Sequence, residues 1–148
     1  MSRLHLNDSK QKNIVPSELD LDIVKYLGES QGMGMDEKIA SDSRFQVWNL
    51  LSDLRTGLIS WYDFKENSDV LEIGAGFGAL TGVLCEQCAH VTVTEHLVFR
   101  AEAIAQRYES VDNLDVYAGD VLEIDFDKRF DYQTPHGWGY IYKACPCS

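Results

Sequence analysis

The sequence predicts an α/β fold in which a parallel sheet is doubly wound with helices, and three observations carry that prediction. A short apolar run containing one acid, Val70-Leu71-Glu72-Ile73, leads into a loop with glycine at 74, 76 and 78. Apolar residues then recur at helical spacing from Leu80 to Cys88, and His90 to Thr94 alternates around Val91 and Val93 as a strand does. Strand, glycine loop, helix and strand in that order form the repeating unit of a doubly wound sheet.

Residues 1–15 are polar and are expected to fray. Pro16-Ser17-Glu18 marks a helix start, Leu19 to Leu27 gives two or three turns, and Gly28 ends them. Gly32-Met33-Gly34-Met35 reads as an exposed connector, with a partly apolar lid as the alternative. Ser43 is expected to cap a stronger helix. In it Val47, Trp48, Leu51, Leu54, Leu58 and Trp61 form one stripe that packs on the sheet, its aromatics serving the core. After the glycine loop come a helix to Cys88, a strand to Thr94 ended by Glu95, a helix over Val98–Tyr108 and a strand over Leu114–Tyr117, followed by Gly119-Asp120.

The carboxyl end departs from this pattern. Arg129-Phe130-Asp131-Tyr132 begins a fourth strand, but Gln133-Thr134-Pro135-His136-Gly137-Trp138-Gly139 carries a proline and two glycines, which break a central strand. The sheet is therefore expected to be incomplete in its C-terminal half. An open edge beside Asp131 predicts a homo-oligomer, unless Tyr140 to Lys143 folds back as a strand. Three regions follow: 1–42 as polar segment, helix and linker, 43–132 as the ligand-binding unit, and 133–148 as an atypical tail.

Glycines that open a helix let backbone approach a ligand closely, which points to a nucleotide-type cofactor. Glu95 lies about 20 residues past the first glycine, where a doubly wound sheet presents a carboxylate to ribose hydroxyls. Gly74-x-Gly76-x-x-Ala79 also satisfies the dinucleotide pattern, so a nicotinamide or flavin dinucleotide competes for the site. Three features weigh against it: Glu72 stands two residues before the first glycine, the third glycine is residue 78, and Asp120 follows the third strand.

Glu72, Gly74, Gly76 and Gly78 match E/D-x-G-x-G-x-G, and here the chain resembles the class I S-adenosylmethionine-dependent methyltransferases, over about residues 61–132. The resemblance implies a Rossmann-like three-layer sandwich with S-adenosylmethionine as cofactor. It implies that Gly74, Ala75, Gly76 and Gly78 cradle the methionine part while Glu72 orients the loop and the amino group. Glu95, followed by His96, would accept from the ribose, Asp120 would face the adenine amino group, and the Val121 amide would donate to a ring nitrogen. Val-Leu-Glu-Ile-Gly-Ala-Gly-Phe-Gly-Ala-Leu-Thr looks most like the ribosomal RNA adenine dimethylases. Leu54-Arg55 and Trp61-Tyr62 look more like bacterial methyltransferase domains associated with glycan or capsule glycosyltransferases.

Charge helps to separate these two. Asp69 to Asp127 holds twelve acids against Arg100 and Arg107, so this segment carries −10 of the formal −11, and the sequence pI is near 4.6. Proteins that grip RNA phosphates usually show a basic patch, so a small-molecule or glycan acceptor is expected ahead of nucleic acid. Acceptor-side residues in such methyltransferases follow the fourth strand, so no catalytic residue is assigned, cofactor binding without appreciable turnover is expected, and His136 reads as a solvated side chain. A non-catalytic cofactor-binding or assembly module and a dinucleotide oxidoreductase fragment are the alternatives.

No segment reaches the 18 or more apolar residues of a membrane span, and the first residues lack the apolar core of a signal peptide, so a cytoplasmic location is expected. Cys85-x-x-Cys88 with Cys145 and Cys147 counts four thiols. The first two fall within a predicted helix, where cysteine packs as a small hydrophobe, and no metal site is expected.

Overall fold

A computed structural model describes residues 1–6, 14–29, 35–135 and 142–143. Its sheet has the order β1-β4-β3-β2-β5-β6, formed by β1 (Arg3–Leu6), β2 (Asp69–Ile73), β3 (His90–Glu95), β4 (Leu114–Ala118), β5 (Tyr132–Pro135) and β6 (Tyr142–Lys143). All pairs are parallel except β5 with β6. The α/β, Rossmann-like class is as predicted.

The chain steps from β2 through β3 to β4 in one direction, then returns to place β5 on the other side of β2. That reversal opens a crevice at the carboxyl end of β2, where doubly wound sheets bind ligands. The crossover helices are α4 (Thr81–Gln87) and α5 (Val98–Arg107), and right-handed crossovers in one direction put both on the same face. Val70, Val91, Val93, Leu114 and Val116 meet Leu84 and Ile104 there in a fully buried core, each side chain contributing on the order of 1.5 to 3 kcal/mol. Asn113 donates to the carbonyls of Cys85 and Cys88 at 2.9 and 3.0 Å, satisfying the last turn of α4.

Two edges differ from expectation. Arg3–Leu6, placed in a frayed terminus from its polarity, forms β1 in register with Asp115–Ala118; His5 stacks on Tyr117 at 4.3 Å. Its exposed leucines gave no core signal, and its hold comes from the backbone ladder. Pro135 does not break the fourth strand but closes it, because at the last position its missing N–H costs little. Asp131 fixes the start of β5, donating its N–H to the Asp69 carbonyl at 2.8 Å while its carboxylate accepts from the Asp69 N–H at 2.9 Å. The edge expected to drive oligomerisation is covered, since Tyr142–Lys143 pairs with Tyr132 and Gln133.

The N-terminal helices are α1 (Glu18–Glu29), α2 (Met35–Ser41) and α3 (Phe45–Leu51). Ser17 and Asp20 cap α1 reciprocally: the Ser17 N–H donates to Asp20 at 3.0 Å and the Asp20 N–H to the Ser17 hydroxyl at 3.2 Å. Gly32, Met33 and Gly34 of the connector or lid lie outside the described residues, as do His136 to Gly139, Cys145 and Cys147. Ser43 does not cap α3. Arg44 takes that position, and the helix ends at Ser52, whose extended backbone starts a 3-10 turn over Asp53–Leu58.

The single stripe is therefore split. Val47 and Leu51 are buried, whereas Trp48, Leu58 and Trp61 stand exposed. Ile23, Ile39, Val47, Leu51 and Ala103 instead form a second core around Phe77. Cys85 and Cys88 pack as free thiols; burial pushes the first up to about 12 and raises the second.

Candidate cofactor site

Gly74, Gly76 and Gly78 all have positive φ, at 67°, 63° and 78°. A side chain at any of them is strained, yet the three glycines have different work. The N–H groups of Gly74 and Ala75 both donate to the Thr94 carbonyl, at 2.8 and 3.2 Å, tying the loop to β3. A Cβ on Gly76 would meet only Leu50 Cδ2 at 3.9 Å, so this backbone faces open space. A Cβ on Gly78 would strike the Tyr108 ring at 3.0 Å and Thr81 Oγ1 at 3.2 Å. Gly78 thus lets α5 close on the loop, and Tyr108 donates its hydroxyl to the Gly78 carbonyl at 2.7 Å.

The two acids flanking the loop are both buried, at 4 % exposure for Glu72 and 5 % for Glu95. Glu95 ends β3, and its carboxylate accepts from the Gly76 N–H at 2.8 Å and the Leu97 N–H at 3.1 Å. It holds the loop and leaves lone pairs for a ligand hydroxyl. Glu72 accepts from the Thr81 hydroxyl at 2.6 Å, which ties β2 to the first turn of α4. Burial pushes its carboxyl up to about 7, against that hydrogen bond and the field of Arg55.

Asp120 stands exposed at the carboxyl end of β4, where its carboxylate accepts from the Leu122 N–H at 3.0 Å and caps the short turn Val121–Glu123. The Gly119 N–H donates to the Glu95 carbonyl at 2.9 Å. The glycine loop, Glu95 and Asp120 therefore follow one another along the carboxyl ends of β2, β3 and β4. His96 lies exposed just beyond Glu95.

A cavity of about 400 Å³ opens over the loop, within the usual size of a small-molecule site. Gly74, Ala75 and Gly76 line it with Phe77, Asn49, Leu50, Arg55, Leu58 and Arg100. None of the last six was singled out for a site from sequence. Phe77 is buried among the N-terminal helices, and Arg100 lies over its ring at 5.1 Å while pairing with Asp20 of α1 at 2.7 Å. Arg107 donates to the carbonyls of Phe77 and Leu51, at 3.1 and 3.5 Å. One signal was present: Arg100 and Arg107 are the only cations between Asp69 and Asp127.

A parallel sheet that reverses beside β2, a positive-φ glycine loop at the reversal and an acid closing the next strand define a class I methyltransferase fold. The structure of Haemonchus contortus phosphoethanolamine N-methyltransferase 1, in complex with phosphoethanolamine and S-adenosylhomocysteine, superposes with a TM-score of 0.54 at 21 % identity, covering 76 % of this chain and 25 % of that one. The loop and rim fit S-adenosylmethionine, the cofactor of this class: open space over Gly76 admits it, and the carboxylates of Glu95 and Asp120 stand at the ends of the next two strands, outside the cavity lining itself.

Within that class, the family model for ribosomal RNA adenine dimethylase matches residues 52–137, and the chain belongs to this family. It is 40 % identical over 72 residues to the probable ribosomal RNA small subunit methyltransferase A of Methanothermobacter thermautotrophicus, covering 49 % of this chain and 26 % of that protein. A dimethyladenosine transferase from Plasmodium falciparum aligns with a TM-score of 0.50 at 30 % identity, over 56 % of this chain and 30 % of that one. The chain spans about a quarter to a third of the length of the curated relatives it matches.

These findings overturn the expectation that a small-molecule or glycan acceptor comes ahead of nucleic acid, since the family and its relatives are named for ribosomal RNA. Net charge misled because it averages over the chain. The cavity lining holds Arg55 and Arg100 and no carboxylate. Among the described residues no helix is long and apolar enough to cross a membrane.

Proposed function

We propose that this chain binds S-adenosylmethionine and serves methyl transfer to an adenine of ribosomal RNA. The observation that carries this reading is the run of the family match, residues 52–137, through the glycine loop, Glu95 and Asp120 on one rim. In this assignment residues 43–132 are the cofactor-binding unit, and α1 and α2 brace it. Gly74, Ala75 and Gly76 hold the methionine part, with Gly78 fixing the loop against α5 and Glu72 setting the first turn of α4. Glu95 takes the ribose hydroxyls beside His96, and Asp120 and the Val121 amide take the adenine.

When bound, the cofactor supplies a methyl group on a sulfonium, open to in-line attack. The amino group of adenine is a weak nucleophile, so the protein's work is to hold acceptor and methyl group in line and close together. The Glu95 bond to the Gly76 N–H fixes the loop before any acceptor arrives, so that ordering cost falls on folding and not on the reaction.

The test is incubation with methyl-labelled S-adenosylmethionine and small-subunit ribosomal RNA, followed by nucleoside analysis. Methylated adenosine is expected, and Gly76→Arg, which fills the cavity side of the loop, abolishes it. Label on a nucleoside other than adenosine, or none beyond the no-protein blank, contradicts the acceptor assignment.

A further inference from the structure

We infer that residues 45–61 form the surface on which the acceptor RNA docks, by stacking of unpaired bases on exposed aromatic side chains. The inference rests on the methyltransferase reading above and adds where an acidic chain receives a polyanion. Phe45 is 67 % exposed, Trp61 73 % and Trp48 38 %, with the Phe45 and Trp48 rings paired at 5.6 Å. Phe45 and Trp61 keep most of their surface in water and Trp48 keeps one edge there, while the core of this layer is built by Val47, Leu51 and Phe77. Trp61 is nevertheless held in place, since its indole N–H donates to the Leu58 carbonyl at 2.8 Å.

The same segment walls the cofactor cavity. Asn49, Leu50, Arg55 and Leu58 line it opposite Gly74 to Phe77, so a strand of RNA lying on these rings passes directly by the cavity mouth. Charge selects the same face. Residues 45–61 contain one arginine and one acid and carry no net formal charge, whereas 69–127 carries −10. Phosphates are repelled along the β2 to β4 half and meet no such repulsion here. Stacking tolerates any base and needs few phosphate contacts, so it suits a surface with little positive charge. The occupant is single-stranded RNA; a duplex hides its base faces and offers only phosphates.

The experiment follows fluorescence anisotropy of a labelled 12-nucleotide single-stranded RNA with wild type and with the double variant Phe45→Ala/Trp61→Ala. S-adenosylhomocysteine calorimetry on both proteins runs beside it. Both side chains are exposed, so the double variant keeps its fold, and circular dichroism checks this. The expected result is at least tenfold weaker RNA binding by the variant, S-adenosylhomocysteine affinity within twofold of wild type, and a salt slope of no more than about two phosphates. Unchanged RNA affinity in the variant, or wild-type preference for the duplex form, overturns the docking surface while leaving the cofactor reading intact. Self-association that depends on Phe45 and Trp61, with no RNA bound by wild type, assigns the face to a second copy of the chain and also overturns it. Failure of wild type to bind S-adenosylhomocysteine contradicts the underlying methyltransferase reading instead.

Discussion

The glycine loop that follows β2 and the helix α3 both line the cavity, yet the sheet that carries the one and the helical cover that carries the other are held by different physics. The strands are fixed by a parallel backbone ladder in register from Val70 to Ile73, over an apolar core drawn mostly from residues 70–118 and completed by Ile59 and Tyr132. The cover has no ladder. It is short helices docked on one ring, Phe77, and on two cations from α5, Arg100 with Asp20 and Arg107 with the Leu51 carbonyl. One region of the site is scaffold and the other is adjustable: the cover is built from the kind of few, separable contacts that let a region open below the global unfolding free energy.

The largest test of that contrast is Phe77→Ala. Removing a buried ring at the centre of the second core is expected to cost about 3 to 5 kcal/mol and to loosen α1 to α3 ahead of the sheet. Urea unfolding gives the loss, and hydrogen exchange shows whether protection falls first in residues 18–51. Uniform loss across β2 to β4 as well would erase the distinction.

Glu72 sharpens the comparison from the scaffold side. Its folded pKa of about 7 lies above the ordinary value of 4.5, so the stability it contributes is full below pH 4.5 and is lost as pH rises through 7. Glu72→Gln keeps an acceptor for Thr81 and never ionises. The variant is expected to exceed wild type in stability by about 1 kcal/mol at pH 5.5 and about 3 kcal/mol at pH 8.5. A difference that does not grow with pH excludes a raised Glu72.

A smaller effect is expected at the cover. Asp20→Asn keeps the Ser17 cap but removes the charge facing Arg100; against the upward push of burial, the hydrogen bonds from Ser17 and then those and the field of Arg100 hold the Asp20 carboxyl below its usual range. A loss of about 1.5 to 3 kcal/mol at neutral pH is expected, shrinking as the pH falls below the ordinary 3.8 and through the lowered folded value, where the wild-type carboxyl also protonates. Equal loss at neutral and acid pH would mean that packing, not charge, holds α1.

Legibility followed the same division. The order of β2, α4, β3, α5 and β4 could be read because each element writes its own period in a contiguous stretch, and the glycine spacing named the class of ligand. Asp20 and Arg100 are eighty residues apart, and Phe77 reads locally as one more loop residue; their meeting is a tertiary fact with no local period. Trp48 and Trp61 kept helical spacing with Leu51, but the spacing could not show that the backbone turns at Ser52. Arg3–Leu6 and Pro135 were misjudged for one reason: polarity and proline were weighed without the neighbouring strand that supplies or forgives the hydrogen bonds. The acceptor class was misjudged because summed charge hides where the two arginines of the cavity sit.

Titration calorimetry with S-adenosylhomocysteine on wild type and Glu95→Ala, with NAD as the competing ligand, tests the central claim that this rim is a methyltransferase cofactor site. S-adenosylhomocysteine is expected to bind, NAD to give no heat, and Glu95→Ala to weaken binding by about 1.5 to 3 kcal/mol through loss of a charged acceptor. Preference for NAD, or full affinity in Glu95→Ala, would contradict it.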